Sequence, residues 1–565
     1  MTATYDYSFQ LEPPPLPEDK RHALVDDLYK QGFVEEGTGR FDLAAAYFDE
    51  IHKRQPNNPY VLLDLARVYF HLFEIERAKS VLQEATQRAG RDADFWYQIA
   101  LAYQEAHLDA EAERCFLLAR THGAGNIALS AALIAYYESR GKLKQAKAAL
   151  ERVERKGVSN GMITGLKGIV LLRFGNRPAA IEALKACLTE LPERNLYQVN
   201  ARYALARALA ENGQEAASLE YLREAKARQE VRPEVQRHLQ INQAVMKFRA
   251  EARTAIEATD IRADWRAEHG TDKRPLVFLL GYPRSGTTLL EQVVESHSSI
   301  RSFEETDAFI QASHKLFGRP LVAEEKPWDV INKANSATLD RARDWYFEYL
   351  KRLGAPSEPS TMLIDKNPGL TGHAHIISRL FPEAKFLVML RDPRDICLSA
   401  YQTQVVITPF SVNWLHWPNT VKHCVHILEH WVALRDRLPN PYLEVRYEDL
   451  ITDLPQTGRR VMEFLGLEWE PQQEDFAQHA RSKQVYSPTL YEVRQGLTQQ
   501  ARGKWRRFGL DYIAGEPGLT SLLERYGYEI DHKKTGEAAA ISETTDTNAK
   551  SSVKFEESSS SITTS

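Results

Sequence analysis

Leu276-Val277-Phe278-Leu279-Leu280-Gly281-Tyr282-Pro283-Arg284-Ser285-Gly286-Thr287-Thr288 joins an uninterrupted apolar run to a glycine-punctuated loop, and Leu289 to His297 then follow helical periodicity. A short apolar run that ends in a turn signal reads as a parallel strand buried on both faces. Strand, glycine loop and helix start together form an anion cradle, because successive backbone N–H groups and the helix N-terminus converge on one point. The loop differs from the triphosphate-binding pattern G-x-x-x-x-G-K-[ST] in carrying Thr287 where the lysine belongs. That lysine serves the β- and γ-phosphates, so its replacement suits a ligand with one phosphate-like group at its 5′ end. Arg284 offers instead a planar fork of donors to a tetrahedral anion.

Downstream, Ala384-Lys385-Phe386-Leu387-Val388-Met389-Leu390 reads as a second buried strand, followed by Arg391-Asp392-Pro393-Arg394-Asp395 and a helix carrying Ser399. In doubly wound sheets ligands sit outside the carboxyl ends of the strands, which puts both loops on one rim. Alone, an Arg-Asp-x-Arg-Asp run reads as a solvated ion-pair cluster. Paired with the first loop, it makes Arg391 and Ser399 candidates for holding a second phosphate.

Upstream of the strand the pattern changes to a repeat. Ala44, Ala78, Ala112, Ala146 and Ala180 are spaced by 34 residues (78 − 44, 112 − 78 and onward), and four positions later stand Phe48, Leu82, Phe116, Leu150 and Leu184. A small and a large residue at i and i+4 share one helix face, where the small one admits a neighbouring helix. A further partial copy carries Ser218 and Leu222 after a 38-residue step, and Gly39, Gly141, Gly175 and Gly213 precede the small position by five residues, where a helix pair would turn. Tyr69, Tyr103 and Tyr137 repeat with the same period on the first helix of each pair, as core residues. A fixed 34-residue period resembles the tetratricopeptide repeat. The expected organisation is a flexible N-terminus over 1–20, a repeat array over 21–229, a helical connector over 230–272, an α/β domain over 273–530, and over 531–565 a tail too polar to offset its ordering entropy.

Bulk properties narrow the function classes. A chain of 565 residues exceeds what one hydrophobic core supports. Its formal net charge of −5 gives no global attraction to nucleic acid or anionic lipid, so any anion site must be local. No window approaches the 18 or more apolar residues of a membrane helix, and the acidic, proline-rich start lacks the apolar core of a secretory signal. The four cysteines have no metal-ligand spacing, which points to a reduced, cytoplasmic setting and no zinc. His373 and His375, two apart, do not share a helix face, and no metal site is expected there.

The ordered set of Tyr282 to Thr288, Phe303-Glu304-Glu305-Thr306, Asp365-Lys366-Asn367-Pro368, Arg391 with Ser399, and Arg446-Tyr447-Glu448-Asp449-Leu450 resembles the sulfotransferase superfamily, and within it the tyrosylprotein sulfotransferase branch. The resemblance covers about Arg274 to Tyr528, and its combination with tetratricopeptide repeats looks like a bacterial arrangement. It implies a three-layer α/β domain with a mostly parallel sheet behind an all-helical solenoid. It also implies 3′-phosphoadenosine 5′-phosphosulfate as cosubstrate, with no metal. Arg284, Ser285, Gly286, Thr287 and Thr288 would bind the 5′-phosphosulfate, and Arg391 and Ser399 the 3′-phosphate. Tyr447 would contact the cofactor, and Lys504, in Gly503-Lys504-Trp505, would close over the phosphates. Glu305 matches the family's general base and Lys366 its charge-stabilising lysine. Two positions depart from the family: Thr403 replaces a basic residue one helical turn past Ser399, and Arg481 stands where a serine would precede Gln484, leaving Ser482 as the nearest hydroxyl.

Three readings follow. The first is sulfuryl transfer to a tyrosine in a protein or peptide, with the repeat groove as the partner-binding surface. The second keeps the chemistry and changes the acceptor to a glycan, lipid or small phenol. The third is a repeat scaffold whose second domain binds nucleotide without turnover. A kinase requires the lysine that Thr287 replaces.

Overall fold

The computed structural model describes residues 16, 20, 22–37, 40–72, 74–106, 108–123, 125–157, 160–193, 195, 197–261, 265, 274–317, 327–482, 496–497, 499, 501–509 and 516–530. The tail expected over 531–565 and most of the N-terminus expected to be flexible lie outside the described residues.

The repeat pattern becomes twelve helices in six antiparallel pairs: α1 (Val25–Gly37) with α2 (Phe41–Arg54), α3 (Tyr60–His71) with α4 (Ile75–Arg88), α5 (Ala93–Glu105) with α6 (Asp109–His122), α7 (Ile127–Ser139) with α8 (Leu143–Glu154), α9 (Gly161–Arg173) with α10 (Arg177–Glu190), and α11 (Tyr197–Glu211) with α12 (Glu215–Glu230). Ala44, Ala78, Ala112, Ala146 and Ala180 all lie on second helices and are fully buried. Their small size is what lets the helices approach. The same economy appears at Gly168, where an added Cβ would stand 2.6 Å from Leu184 Cγ. Gly141, Gly175 and Gly213 turn the pairs with φ of +66°, +79° and +76°, a region costly for residues with a Cβ. Gly39 lies outside the described residues. The charged connector forms α13 (Pro233–Ala258).

The α/β domain is a five-stranded, all-parallel sheet of β1 (Leu276–Gly281), β2 (Ile300–Glu304), β3 (Met362–Lys366), β4 (Lys385–Leu390) and β5 (Tyr442–Arg446), ordered β2-β3-β1-β4-β5. Every residue of β1 is buried. Alternation splits them between two layers: Leu276, Phe278 and Leu280 join one core with Phe386, Val388 and Trp431, while Val277 and Leu279 join another with Leu289, Val293, Leu387 and Met389. Helices therefore cover both faces, as a fully parallel sheet requires.

The first of these layers runs on into the array. Tyr203, Ala206, Leu222 and Ala225 of the last repeat and Phe248, Ala252 and Ile256 of α13 belong to the same apolar cluster as Phe278 and Phe386. Buried polar anchors reinforce the join. Lys226 Nζ donates to the Trp414 carbonyl (2.6 Å), and Arg249 Nε donates to the Gly372 carbonyl (3.0 Å). Burial lowers Lys226 to about 7. The last repeat and the connector are thus packed as a wall of the α/β domain rather than tethered to it.

Candidate active site

Strand β1 delivers its loop at the centre of the sheet, between β3 and β4, where the chain switches from building one side of the sheet to building the other. Crevices at such switch points are where α/β sheets hold ligands. Helix α14 (Thr287–Glu295) begins there without a side-chain cap, because its N-cap is Gly286 at φ +106°. As at any helix start, its first backbone N–H groups point back toward the loop. At Gly286 an added Cβ would lie 2.6 Å from the Tyr447 ring, so glycine here permits both the backbone turn and the ring's close cover.

Arg284 adopts φ +78° and Glu305 φ +47°; among the described residues these are the only non-glycine positions with positive φ. Backbone strain of this kind persists where surrounding contacts over-determine it, and it clusters at functional sites. Both positions were singled out from the sequence. Arg284 Nε donates to Ser399 Oγ (3.0 Å), and the Arg284 carbonyl accepts from Arg391 Nη1 (2.9 Å), so the two expected anion anchors meet directly. Arg391 also donates to the Ala501 carbonyl (2.5 Å) and lies 4.7 Å from the centre of the Tyr447 ring. Two buried polar atoms here, Ser285 Oγ and Arg391 Nε, have no hydrogen-bond partner among the described residues. A glycine-shaped cradle, two arginines and such unmet donors suit a ligand with two separate phosphate-like groups.

The Arg-Asp-Pro-Arg-Asp run divides its labour. Arg394 pairs with Asp392 (2.7 Å) and packs 4.0 Å from the Trp505 ring, so this half is the structural ion pair that such a run ordinarily forms. Asp395 accepts from the backbone N–H groups of Gly503 (2.6 Å) and Trp505 (3.0 Å), pinning the segment that carries Lys504 against the rim. Lys504 Nζ donates to Gln402 Oε1 (3.0 Å), on the same helix as Ser399. Thr403, at the position where the family pattern is basic, turns its hydroxyl back to the Ser399 carbonyl (2.7 Å). Ser482 ends a helix, Phe476–Ser482, and its side chain lies outside the described residues.

Lys366 closes β3 beside Glu304 of β2, its register partner. It is fully buried, and its ammonium donates to Glu304 (3.0 Å) and Glu305 (3.0 Å), with Glu291 of α14 at 3.7 Å. Burial pushes Lys366 down, but Glu291, then Glu305 and Glu304, outweigh it, so the group sits above the usual lysine range. Asp365 next to it is driven up to about 7, chiefly by burial. The Glu305 side chain is 55% exposed, whereas Lys366 beside it is fully buried.

A family model described as Sulfotransferase family matches residues 275–471. Residues 275–471 form a sulfotransferase-family domain. Two models of the tetratricopeptide repeat match residues 37–102 and 132–195, which makes the first half a repeat array. The sulfotransferase domain is similar to protein-tyrosine sulfotransferase 1 of Homo sapiens (32% identical over 30% of this chain and 45% of that protein). It is also similar to protein-tyrosine sulfotransferase 2 of Gallus gallus (29%, over 34% and 52%). An uncharacterised protein of Aquifex aeolicus (strain VF5) is 28% identical over 45% of this chain and 32% of its own length. The chain thus spans about a third to a half of the length of these relatives.

Several groups at the candidate site carry no motif signal of their own in the sequence. Glu291, Ser302 and Thr371 are fully or almost fully buried, and Thr371 Oγ1 both accepts from the Gly281 N–H (2.8 Å) and donates to the Gly281 carbonyl (2.5 Å), clamping the start of the phosphate loop. Glu291-Gln292 inside the apolar helix Leu289 to Val294 was the available signal, since a charge on a helix that must be buried needs a partner. The array also borders this rim. Asn200 of α11 accepts from Gln404 (2.7 Å), just beyond the Ser399 helix, and Arg507, next to Lys504 in the chain, pairs with Glu215 of α12 (2.5 Å). Among the described residues no helix is long and apolar enough to cross a membrane.

Proposed function

We propose that this protein transfers a sulfuryl group from 3′-phosphoadenosine 5′-phosphosulfate to a hydroxyl, with a tyrosine in a protein or peptide as the favoured acceptor. The observation that carries the reading is the Glu305–Lys366 pair set beside a lysine-less phosphate loop. Bound there, the cosubstrate supplies an activated sulfuryl group and a phosphate leaving group, with the acceptor O–S bond forming as the bridging S–O bond breaks. Glu305 takes the acceptor proton, as a positioned carboxylate does in general-base catalysis. Lys366 and Arg284 present fixed positive charge to the transferring group and the bridging oxygen, and this preorganised field is of most use in a water-poor site. Arg391 and Ser399 hold the 3′-phosphate, Tyr447 covers the loop, and Lys504 closes over the phosphates. Ser482 is proposed as a further contact from the segment beside the cradle. The two cations do the neutralising that a metal does in phosphoryl transfer.

The named activity of the human and chicken relatives supports tyrosine, and so does the array lying beside the Ser399 helix, where a peptide held on its concave face would emerge near the rim. A cytoplasmic setting belongs to the same proposal, supported by Cys115, Cys187, Cys397 and Cys424 all being buried free thiols.

Isothermal titration with 3′-phosphoadenosine 5′-phosphate, in parallel with ATP and Mg²⁺, tests the cosubstrate. Binding of the bisphosphate that is lost in Arg284→Ala, with ATP silent, is the expected result. Absence of bisphosphate binding would return the domain to the scaffold reading. Turnover of tyrosine peptides against simple phenols, sugars and lipids then decides the acceptor.

A further inference from the structure

The acid partners of Lys366 are not equivalent, and the mechanism just described uses only one of them. Glu305 and Glu304 approach from the open end of β2, whereas Glu291 approaches from inside, on the helix that starts at the phosphate loop. Glu291 and Lys366 are both fully buried, and their charged atoms stand 3.7 Å apart. Glu291 is held in its turn: Ser302 Oγ on β2 donates to its Oε1 (2.5 Å). Helix α14 therefore carries the phosphate cradle at its first residues and, one turn later, a carboxylate aimed at the lysine of β3.

We propose that Glu291 is the positioning residue of the transfer site, keeping the Lys366 ammonium charged and in place when Glu305 accepts the acceptor proton and its negative charge disappears. The inference rests on the roles assigned above to Glu305 and Lys366. Its logic is electrostatic. A buried ammonium whose counter-charge is neutralised in the reaction would lose its main reason to remain protonated and oriented at the moment the bridging oxygen needs it. Glu304, at the end of β2, has its side chain partly exposed, so water screens its pull. Asp365, the neighbour on β3, is raised to about 7, chiefly by burial, and its carboxylate accepts from Tyr346 Oη (3.0 Å) rather than from the lysine. Among the three carboxylates paired with Lys366, Glu291 alone combines complete burial, a fixed carboxylate and no route to the acceptor.

The test uses the full chain with Glu291→Gln, Glu291→Asp and Ser302→Ala. In Glu291→Gln, kcat for a tyrosine peptide should fall about 10- to 100-fold, the range that loss of a preorganised charge produces. The acceptor KM and the affinity for 3′-phosphoadenosine 5′-phosphate at pH 7.5 should stay within about threefold. The alkaline limb of kcat should move to lower pH, because Lys366 loses the largest of the effects that keep it protonated. Bisphosphate affinity, read by calorimetry without turnover, should weaken between pH 8 and pH 10 in the variant and hold in the parent. Glu291→Asp should recover part of kcat, and Ser302→Ala should show the same pattern more weakly. Unchanged kcat and pH limbs in a folded Glu291→Gln protein overturn the proposal, as does an equal loss of kcat and bisphosphate binding in all three variants, which marks a purely structural group. A parent protein that binds no bisphosphate overturns the functional reading and this inference together. A parent that binds and turns over while Glu291→Gln matches it overturns only the inference.

Discussion

The repeat array and the sulfotransferase domain handle charge in opposite ways. In the array before its last repeat, ions meet at the surface between neighbouring repeats: Arg67 with Glu36 (2.5 Å), Arg173 with Glu138 (2.5 Å), Lys142 with Glu113 (2.5 Å). Each joins residues roughly one repeat apart, and the buried spine beneath them is apolar, drawn from Ala, Leu, Phe and Tyr. In the catalytic domain, charge goes inside. Lys366, Glu291, Asp365 and Arg343 are all at 1% exposure or below. Surface pairs are worth little and buried ones are costly to break. The array can therefore vary its surface at small cost, whereas the catalytic domain has concentrated its electrostatic risk where chemistry requires fixed charge.

The sharpest way to break the comparison is Lys366→Met. It should abolish turnover and lower stability by about 3–5 kcal/mol, because it strands Glu291 in the interior; urea unfolding and a peptide assay read both. A variant that melts like the parent would mean that the interior charges relax as readily as those on the array.

Acid should separate the regions next. His375, His423 and His430 are buried, and His373 half-buried, beside Arg249 where α13 meets the catalytic core, and burial first, then nearby positive charge, holds each below the ordinary histidine value, His375 at about 3. A folded pKa depressed below the unfolded one means that the unfolded chain takes up more protons, so stability present above about pH 6.5 is lost as pH falls below it. The loss should reach about 1 kcal/mol per histidine at pH 5.5. Asp365, raised to about 7, works the other way, as one group against four. Melts followed from pH 7.5 to 5.5 should show the transition that releases Trp431 moving down while the mid-array transition moves less.

Within the array, Ala112→Leu places a larger side chain at a fully buried helix crossing and should cost about 1–3 kcal/mol. Bisphosphate affinity should remain within twofold, because Ala112 belongs to the middle-repeat cluster and not to the one shared with the catalytic core. A weakened affinity would show that strain travels along the repeats to the site. The smallest effect is expected from Arg173→Ala, which removes a surface pair between repeats and should change stability by less than about 1 kcal/mol.

Much of this was legible in the chain. The 34-residue step of small residues located the second helix of each pair, because helix crossing distance depends on a local side-chain volume. The two apolar runs became β1 and β4, adjacent in the sheet, because strands buried on both faces cannot tolerate polar positions. Arg284 and Glu305 were visible as candidates, yet their positive φ was not, since conformation there is imposed by the sheet edge and the loop around it. Glu291 was invisible as a functional group: its meaning depends on β2 and β3 lying side by side, with Lys366 opposite Glu304, a pairing that spans 62 residues.

By itself, then, the amino-acid sequence determined the two architectures, the lysine-less phosphate loop and the residue types available for transfer, because periodicity and loop chemistry are local properties. Only the tertiary structure decided that the last repeat and α13 share a core with the sheet, that Asp395 anchors the Lys504 segment, and that three carboxylates surround one buried lysine. Those are distances between residues far apart in the chain, and they are set by packing, to which no local pattern is sensitive.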